Sequence, residues 1–277
     1  MESRERIESE IIAVVLGGPR EPPVDLVQVA EDIGVSRVRG TRFPDGFTEF
    51  DLEGPVIYLN WKERGLRMRF VLAHELAHVM LRKPEIIGLL ERRSQVSLLD
   101  DEEGLADRVA ATLLVPDSWV ESIGSAHPSL ASLRSMADHA EVAVTTLASR
   151  ISAAGIDVGL LHWQRGGRSW HLVDRPGAPL CLHGRIRLSE AGIRAIDRVR
   201  SKESEMTVDG YINTHLVTIS GWGFRRGDDV IQLIQPSRDV VFPTAPNMPW
   251  PASLVSTPYN ALCNRPGRFC GELTAMP

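Results

Sequence analysis

The sequence predicts an α+β protein with a mainly helical first half, a small β-sheet within it, and a mixed α/β C-terminal region. Three observations carry this. Apolar residues recur at helical spacing through most of residues 3–155. Period-two alternation is confined to about 37–60 and to the last third. Glycine and proline punctuate the transitions.

Taken in order, residues 3–16 read as a short helix ended by Gly17-Gly18. "PVDLVQVAEDIGV" (23–35) reads as a second, with Leu26, Val27, Val29, Ala30 and Ile33 as its apolar stripe and Gly34 as its stop. "GFTEFDLEGPVIYLN" alternates around a Gly54-Pro55 turn and predicts two short strands. A helix follows at about 64–82, then a connecting stretch at 83–101. Another helix spans about 102–115 and is stopped by Pro116. Residues 129–155 read as two short helices joined by a tight turn, with Ser129 as N-cap. "DVGLLHWQRGGRSWHLVD" predicts a hairpin around Gly166-Gly167. Residues 188–201 look helical with Ser189 as cap, 208–243 look strand-rich, and the tail after 244 is rich in proline.

Composition narrows the function classes. The 277 residues are 43% hydrophobic and 24% charged, with net charge −5 and pI near 5.9. No global basic field exists to hold nucleic acid, so direct nucleic-acid binding is not expected. The three cysteines, Cys181, Cys263 and Cys270, lack CxxC spacing. They form neither a disulfide framework nor a cysteine zinc site, and fit a reducing cytoplasm. No apolar stretch approaches a membrane span, and the N-terminus lacks the basic start of a signal peptide.

The chemistry concentrates in "RFVLAHELAHVMLR" (69–82). His74 and His78 are four apart and share one helix face, so both imidazoles can reach one ion. Glu75 lies about 100° round the helix from His74, placed to act as general base on a water. Read blandly, the same residues are a core helix with satisfied histidines. Catalytic zinc needs a third protein ligand. "DDEEGLADRVAATLLVPDSW" (100–119) offers Glu103, with Asp107 one turn on to accept the far N–H of a ligand histidine. Read alone, Glu103 is one of several acids in a first helical turn, and Asp101 and Glu102 are assigned only that part.

Two motifs then coincide. The HExxH helix, led by an aromatic, is followed by "EGLADRVAATLLVP" (103–116). Together they resemble the ImmA/IrrE metallopeptidases, whose later segment runs E-x-x-A-[DN]-x-F-A-A-x-L-L-x-P. Val109 stands where that family usually has phenylalanine, a change of packing and not of chemistry. The resemblance covers about residues 20–155. It implies His74, His78 and Glu103 as ligands of Zn2+, with Mn2+ or another divalent ion as alternatives. It implies Glu75 as base and a zinc-dependent endopeptidase that makes a limited cut in a helix-turn-helix repressor, switching on stress-response or mobile-element genes.

On this reading residues 1–125 are the metallopeptidase domain and 126–156 a helix-turn-helix-like segment. Residues 157–277 form a C-terminal domain where IrrE-like members carry a GAF-like sensor. Tyr58 and Tyr211 are weighed as oxyanion stabilisers but read better as packing residues. The strand at 56–59 is weighed as an edge that could hold an extended peptide. His162, Trp163, Trp170, His171, Cys181 and His183 cluster in sequence and read as an aromatic hairpin rather than a second metal site. The competing reading is a DNA-binding or ligand-sensing regulator with a non-catalytic metal site.

Overall fold

The computed structural model describes residues 7–43, 46–62, 64–92, 102–123, 128–167, 169–176, 186–212, 215–235 and 239–241. The chain divides into two compact units, with the boundary between Trp119 and Val120. The architecture is mixed α and β, with one sheet in each unit.

The first unit opens with α1 (Ile7–Leu16), whose Ile7, Ile11 and Ile12 are buried. Helix α2 (Leu26–Asp32) starts where the Asp25 carboxylate accepts the N–H groups of Val27 and Gln28 at 3.0 and 3.1 Å. That cap satisfies two of the four donors a helix start leaves unpaired. Val27 points outward and is 66% exposed, against its expected place in the apolar stripe. Three strands follow rather than two: β1 (Arg37–Thr41), β2 (Phe47–Asp51) and β3 (Gly54–Asn60). Their order is β1-β3-β2, with β1 parallel and β2 antiparallel to the central β3. The sequence does not announce β1, because "RVRGT" lies almost wholly exposed and shows no apolar alternation.

Helix α3 (Gly65–Leu81) buries Ala73, Leu76, Ala77, Val79 and Met80. Residues 84–92, expected as connecting chain, form helix α4 (Pro84–Arg92) with Ile86, Leu89 and Leu90 inside. Pro84 occupies a first-turn position, where a missing N–H costs nothing. This proline therefore marks a helix start and not a break. Helix α5 (Glu102–Leu114) packs on α3. Both bury alanines completely, Ala73 and Ala77 on one and Ala106 and Ala110 on the other, and small side chains let helix axes approach. Val109 is fully buried too, which fits a packing role. A part-buried ion pair ties α5 to α1, with Arg108 Nε donating to Glu8 Oε1 at 2.8 Å. The short helix α6 (Asp117–Ser122) follows Pro116.

In the second unit, α7 (Leu130–Ala140) is capped by Ser129, whose hydroxyl accepts the N–H of Ser132. Glu141, in the left-handed region at φ 53°, turns the chain into α8 (Val144–Ala153). The sheet that follows runs β5-β4-β9-β8-β7-β6, antiparallel throughout. Its strands are β4 (Gly159–Gly166), β5 (Ser169–Asp174), β6 (Ile186–Leu188), β7 (Ser204–Ile212), β8 (His215–Arg226) and β9 (Asp229–Ile234), with β10 (Val240–Val241) pairing β8. The expected hairpin turns at Gly167. Helix α9 (Glu190–Arg198), capped by Ser189, lies on β7 so closely that a Cβ on Gly192 would stand 2.1 Å from the Asp209 carbonyl oxygen. One face of the sheet and α9 enclose a core of Leu161, Trp163, Ile196, Val208, Val217 and Ile219.

Leu76 is fully buried on the helix that carries both histidines. Leu76→Ala is expected to destabilise the protein by about 2–5 kcal/mol, read by chemical denaturation.

Candidate metal centre

Helix α3 presents His74 and His78 one turn apart, and the start of α5 comes to meet them. Three donor atoms converge. His74 Nε2 and His78 Nε2 are 3.0 Å apart. Glu103 Oε2 lies 3.3 Å from His74 Nε2, and Glu103 Oε1 lies 3.5 Å from His78 Nε2. Donors bound to one tetrahedral zinc at about 2.0–2.1 Å would stand about 3.3 Å apart. The spacing therefore fits a small divalent ion, and His74, His78 and Glu103 are a group able to hold one.

The tautomers strengthen that fit. His74 Nδ1 is 2.8 Å from Asp107 Oδ1, and His78 Nδ1 is 3.1 Å from Glu102 Oε1. An ionised carboxylate can only accept, so each Nδ1 carries the hydrogen and donates it. Both neutral rings then turn bare Nε2 lone pairs toward each other. Such an arrangement repels unless a cation or a proton lies between them.

Asp107 thus falls where its spacing predicts. Glu102 does not. The sequence assigns it only to the helix dipole, yet it pairs with the Nδ1 of His78. Arg82, at the end of α3, donates to both Glu102 oxygens at 3.3 and 3.4 Å and lies 5.5 Å from the centre of the Phe50 ring. Burial pushes the Glu102 carboxyl up, but the hydrogen bond from His78 and the charge of Arg82 outweigh it and hold it below its ordinary value. Glu102 immediately precedes a motif that begins at Glu103, so the motif itself does not include it. The signal available is its spacing of four from Ala106, on the buried side of α5.

Burial pulls the His74 imidazole down, but the hydrogen bond to Asp107 and the charges of Asp107, Glu75 and Glu103 outweigh it and raise the pKa above 6.5. A metal must displace that proton.

Glu75 faces a different way and is buried at 5% exposure. Its Oε2 accepts the hydroxyl of Thr48 on β2 at 2.8 Å. Glu103 is 73% exposed, so the donor cluster opens to solvent. The strand at 56–59 cannot offer a free edge, since β3 is paired on both sides. β2 is the edge beside α3. Tyr58 stacks on Phe47, ring centres 4.6 Å apart, and serves packing.

Residues 24–152 match the family model Peptidase_M78, the IrrE N-terminal-like domain. That segment carries an IrrE N-terminal-like domain. A peptidase family agrees with the donor set just described. Among solved structures, a Mycobacterium tuberculosis transcriptional regulator is similar, at 13% identity and a TM-score of 0.48, covering 82% of this chain and 75% of that one. No curated protein matches the chain.

Away from the IrrE-like donor cluster, the aromatic hairpin uses its polar atoms internally. Trp163 Nε1 donates to Gln232, Trp170 Nε1 donates to Asp197, and His162 pairs with Asp229 at 3.0 Å. Cys181 and His183 lie outside the described residues, as do Cys263 and Cys270. Tyr211 is 39% exposed on β7, in the second unit. Among the described residues, no helix is long and apolar enough to cross a membrane.

Glu102→Gln should weaken zinc affinity about 10- to 100-fold while leaving the fold intact, as measured by competition with a chelating dye. The rise in melting temperature on adding zinc should grow from about pH 6 to pH 8. The sign follows from His74. Its raised pKa favours the metal-free protein at low pH, that contribution is lost as pH rises through the raised value, and the competing proton leaves.

Proposed function

We propose that the first unit is a zinc-dependent endopeptidase that makes a limited cut in a regulatory protein. Its target is a DNA-binding repressor of the helix-turn-helix kind, cut in the cytoplasm to switch on stress-response or mobile-element genes. The observation that carries the reading is the convergence of two Nε2 lone pairs and one carboxylate within 3.0–3.5 Å, open to solvent and next to a buried glutamate.

A divalent ion held there supplies Lewis acidity toward a peptide carbonyl and makes a nearby water more acidic. Glu75 accepts the proton of the attacking water on its carboxylate and returns it to the leaving amine. His74, His78 and Glu103 are the ligands. Asp107 and Glu102 hold the imidazoles in the tautomer that leaves Nε2 free. A His-His-Glu set favours zinc and also accepts manganese.

The partner is a protein rather than nucleic acid. The helix pair α7–α8 carries only Arg134 and Arg150 as formal cations. Arg134 lies 4.4 Å over the Phe224 ring and Arg150 is 6% exposed, so both are committed within the second unit. Phosphate neutralisation, the main source of nucleic-acid affinity, has little to draw on there. The second unit, read as a GAF-like sensor, holds a cleft of about 600 Å³ lined in part by Glu205, Thr207, Ser220 and Trp222. A cleft of that size suits a small regulatory ligand.

Purified wild type and Glu75→Gln, each incubated with helix-turn-helix repressors encoded near this gene, test the proposal. Both should bind one zinc, and the variant should cut at least about 100-fold more slowly. A variant that cuts as fast as wild type would remove Glu75 from the chemistry. Failure of both to retain zinc would return the histidines to the core.

A further inference from the structure

We infer that Thr48 is the positioning residue for Glu75, an inference that rests on the proteolytic reading above. Glu75 is a carboxylate buried at 5% exposure on the side of α3 that it shares with the buried Val79. A charge in such surroundings needs a partner. The partner is the Thr48 hydroxyl, which donates to Glu75 Oε2 at 2.8 Å from β2, 27 residues away in sequence.

A second contact comes from the same strand entry. A Cβ placed on Gly46 would stand 3.1 Å from Glu75 Oε1, 3.2 Å from its Cγ and 2.6 Å from Val71 Cγ1. No side chain fits there, so the backbone of residue 46 lies against the Glu75 side chain. Positions 46 and 48 fall on one face of an extended chain. One strand therefore confines Glu75 from two points, with a wall along Oε1 and Cγ and a hydrogen bond at Oε2.

The chemistry explains the arrangement. A glutamate has three rotatable bonds, and a general base must come within about 2.6–3.2 Å of the proton it takes. A misplacement of about 1 Å can cost on the order of 100-fold in rate. A hydroxyl donor fixes one oxygen without adding a positive charge, and the carboxylate keeps its remaining lone pairs for the proton. Thr48 touches neither substrate nor ligands and acts only through Glu75.

The test uses the full chain with zinc and a repressor that wild type cuts. Thr48→Val keeps the β-branched shape of the strand residue and removes the donor, and Thr48→Ser keeps the donor. Thr48→Val is expected to lower kcat about 10- to 100-fold, with KM within about twofold and one zinc retained. Thr48→Ser should recover most of the rate, and Thr48→Val should add nothing to Glu75→Gln. A structural readout runs beside the rates. In protein labelled with ¹³C-glutamate, the Glu75 carboxyl resonance, assigned by its loss in Glu75→Gln, should move in Thr48→Val and not in Thr48→Ser. An unmoved resonance, or a kcat for Thr48→Val equal to wild type, overturns the inference. Equal losses in the two Thr48 variants overturn it as well. Wild type that holds zinc and cuts nothing, although the resonance moves, sinks the proteolytic reading instead and leaves Thr48 positioning a carboxylate with no part in catalysis.

Discussion

Two imidazoles stand on successive turns of α3 with their Nε2 atoms 3.0 Å apart. Each has spent its only ring hydrogen on a carboxylate behind it, Asp107 for one and Glu102 for the other. Two lone pairs held face to face are unfavourable on their own, and a shared cation turns that repulsion into a binding site. The placement of α5 follows from this constraint. Its first turn delivers Glu102 and Glu103 side by side, one to the back of His78 and one to the front of both histidines. Its second turn delivers Asp107 to the back of His74. Three acids on one short stretch thus do two different jobs, divided by the direction each leaves the helix.

Holding those groups in register needs a rigid frame. α3 and α5 pack together and both bury alanines completely, which lets their axes approach. The Glu8–Arg108 pair ties α1 to α5, with the Glu8 carboxylate buried and Arg108 partly exposed. On the other side of α3, the sheet contributes through its edge strand rather than its centre. β3 spends both edges on β1 and β2, and β2 is left to reach the helix with Thr48 and the bare backbone of Gly46. Glu75 and the histidines are therefore supported by different elements, the sheet for Glu75 and α5 for the histidines.

The second unit solves a different problem. Its antiparallel sheet buries Trp163 and Trp170, two large rings with polar edges, and each indole N–H finds an internal acceptor in Gln232 or Asp197. Gln232, fully buried, in turn donates to the Ile219 carbonyl. The hairpin, rich in aromatic residues and histidine, is thus a packing element with satisfied polar atoms.

Much of the fold is legible in the sequence because its signals are local. Asp25, Ser129 and Ser189 each satisfy the backbone two or three residues on. His74 and His78 share a face because helical geometry alone demands it. The order and spacing of the HExxH helix and the Glu103–Pro116 segment point to the family that residues 24–152 match. What stays hidden depends on contacts that no local period encodes. β1 is exposed and patterned like a loop, and α4 begins with a proline that reads as a breaker until its position in the first turn is known. Glu102 differs from Glu103 only in the direction it points, which the packing of α5 on α3 decides. Thr48 is an ordinary strand threonine until β2 is laid along α3. The sequence by itself determined which chemistry was present and on which helix. Only the tertiary structure decided which acid pairs with which imidazole and what lies against Glu75. Those choices rest on side-chain directions between residues 24 to 33 positions apart, where distance along the chain carries no geometric information.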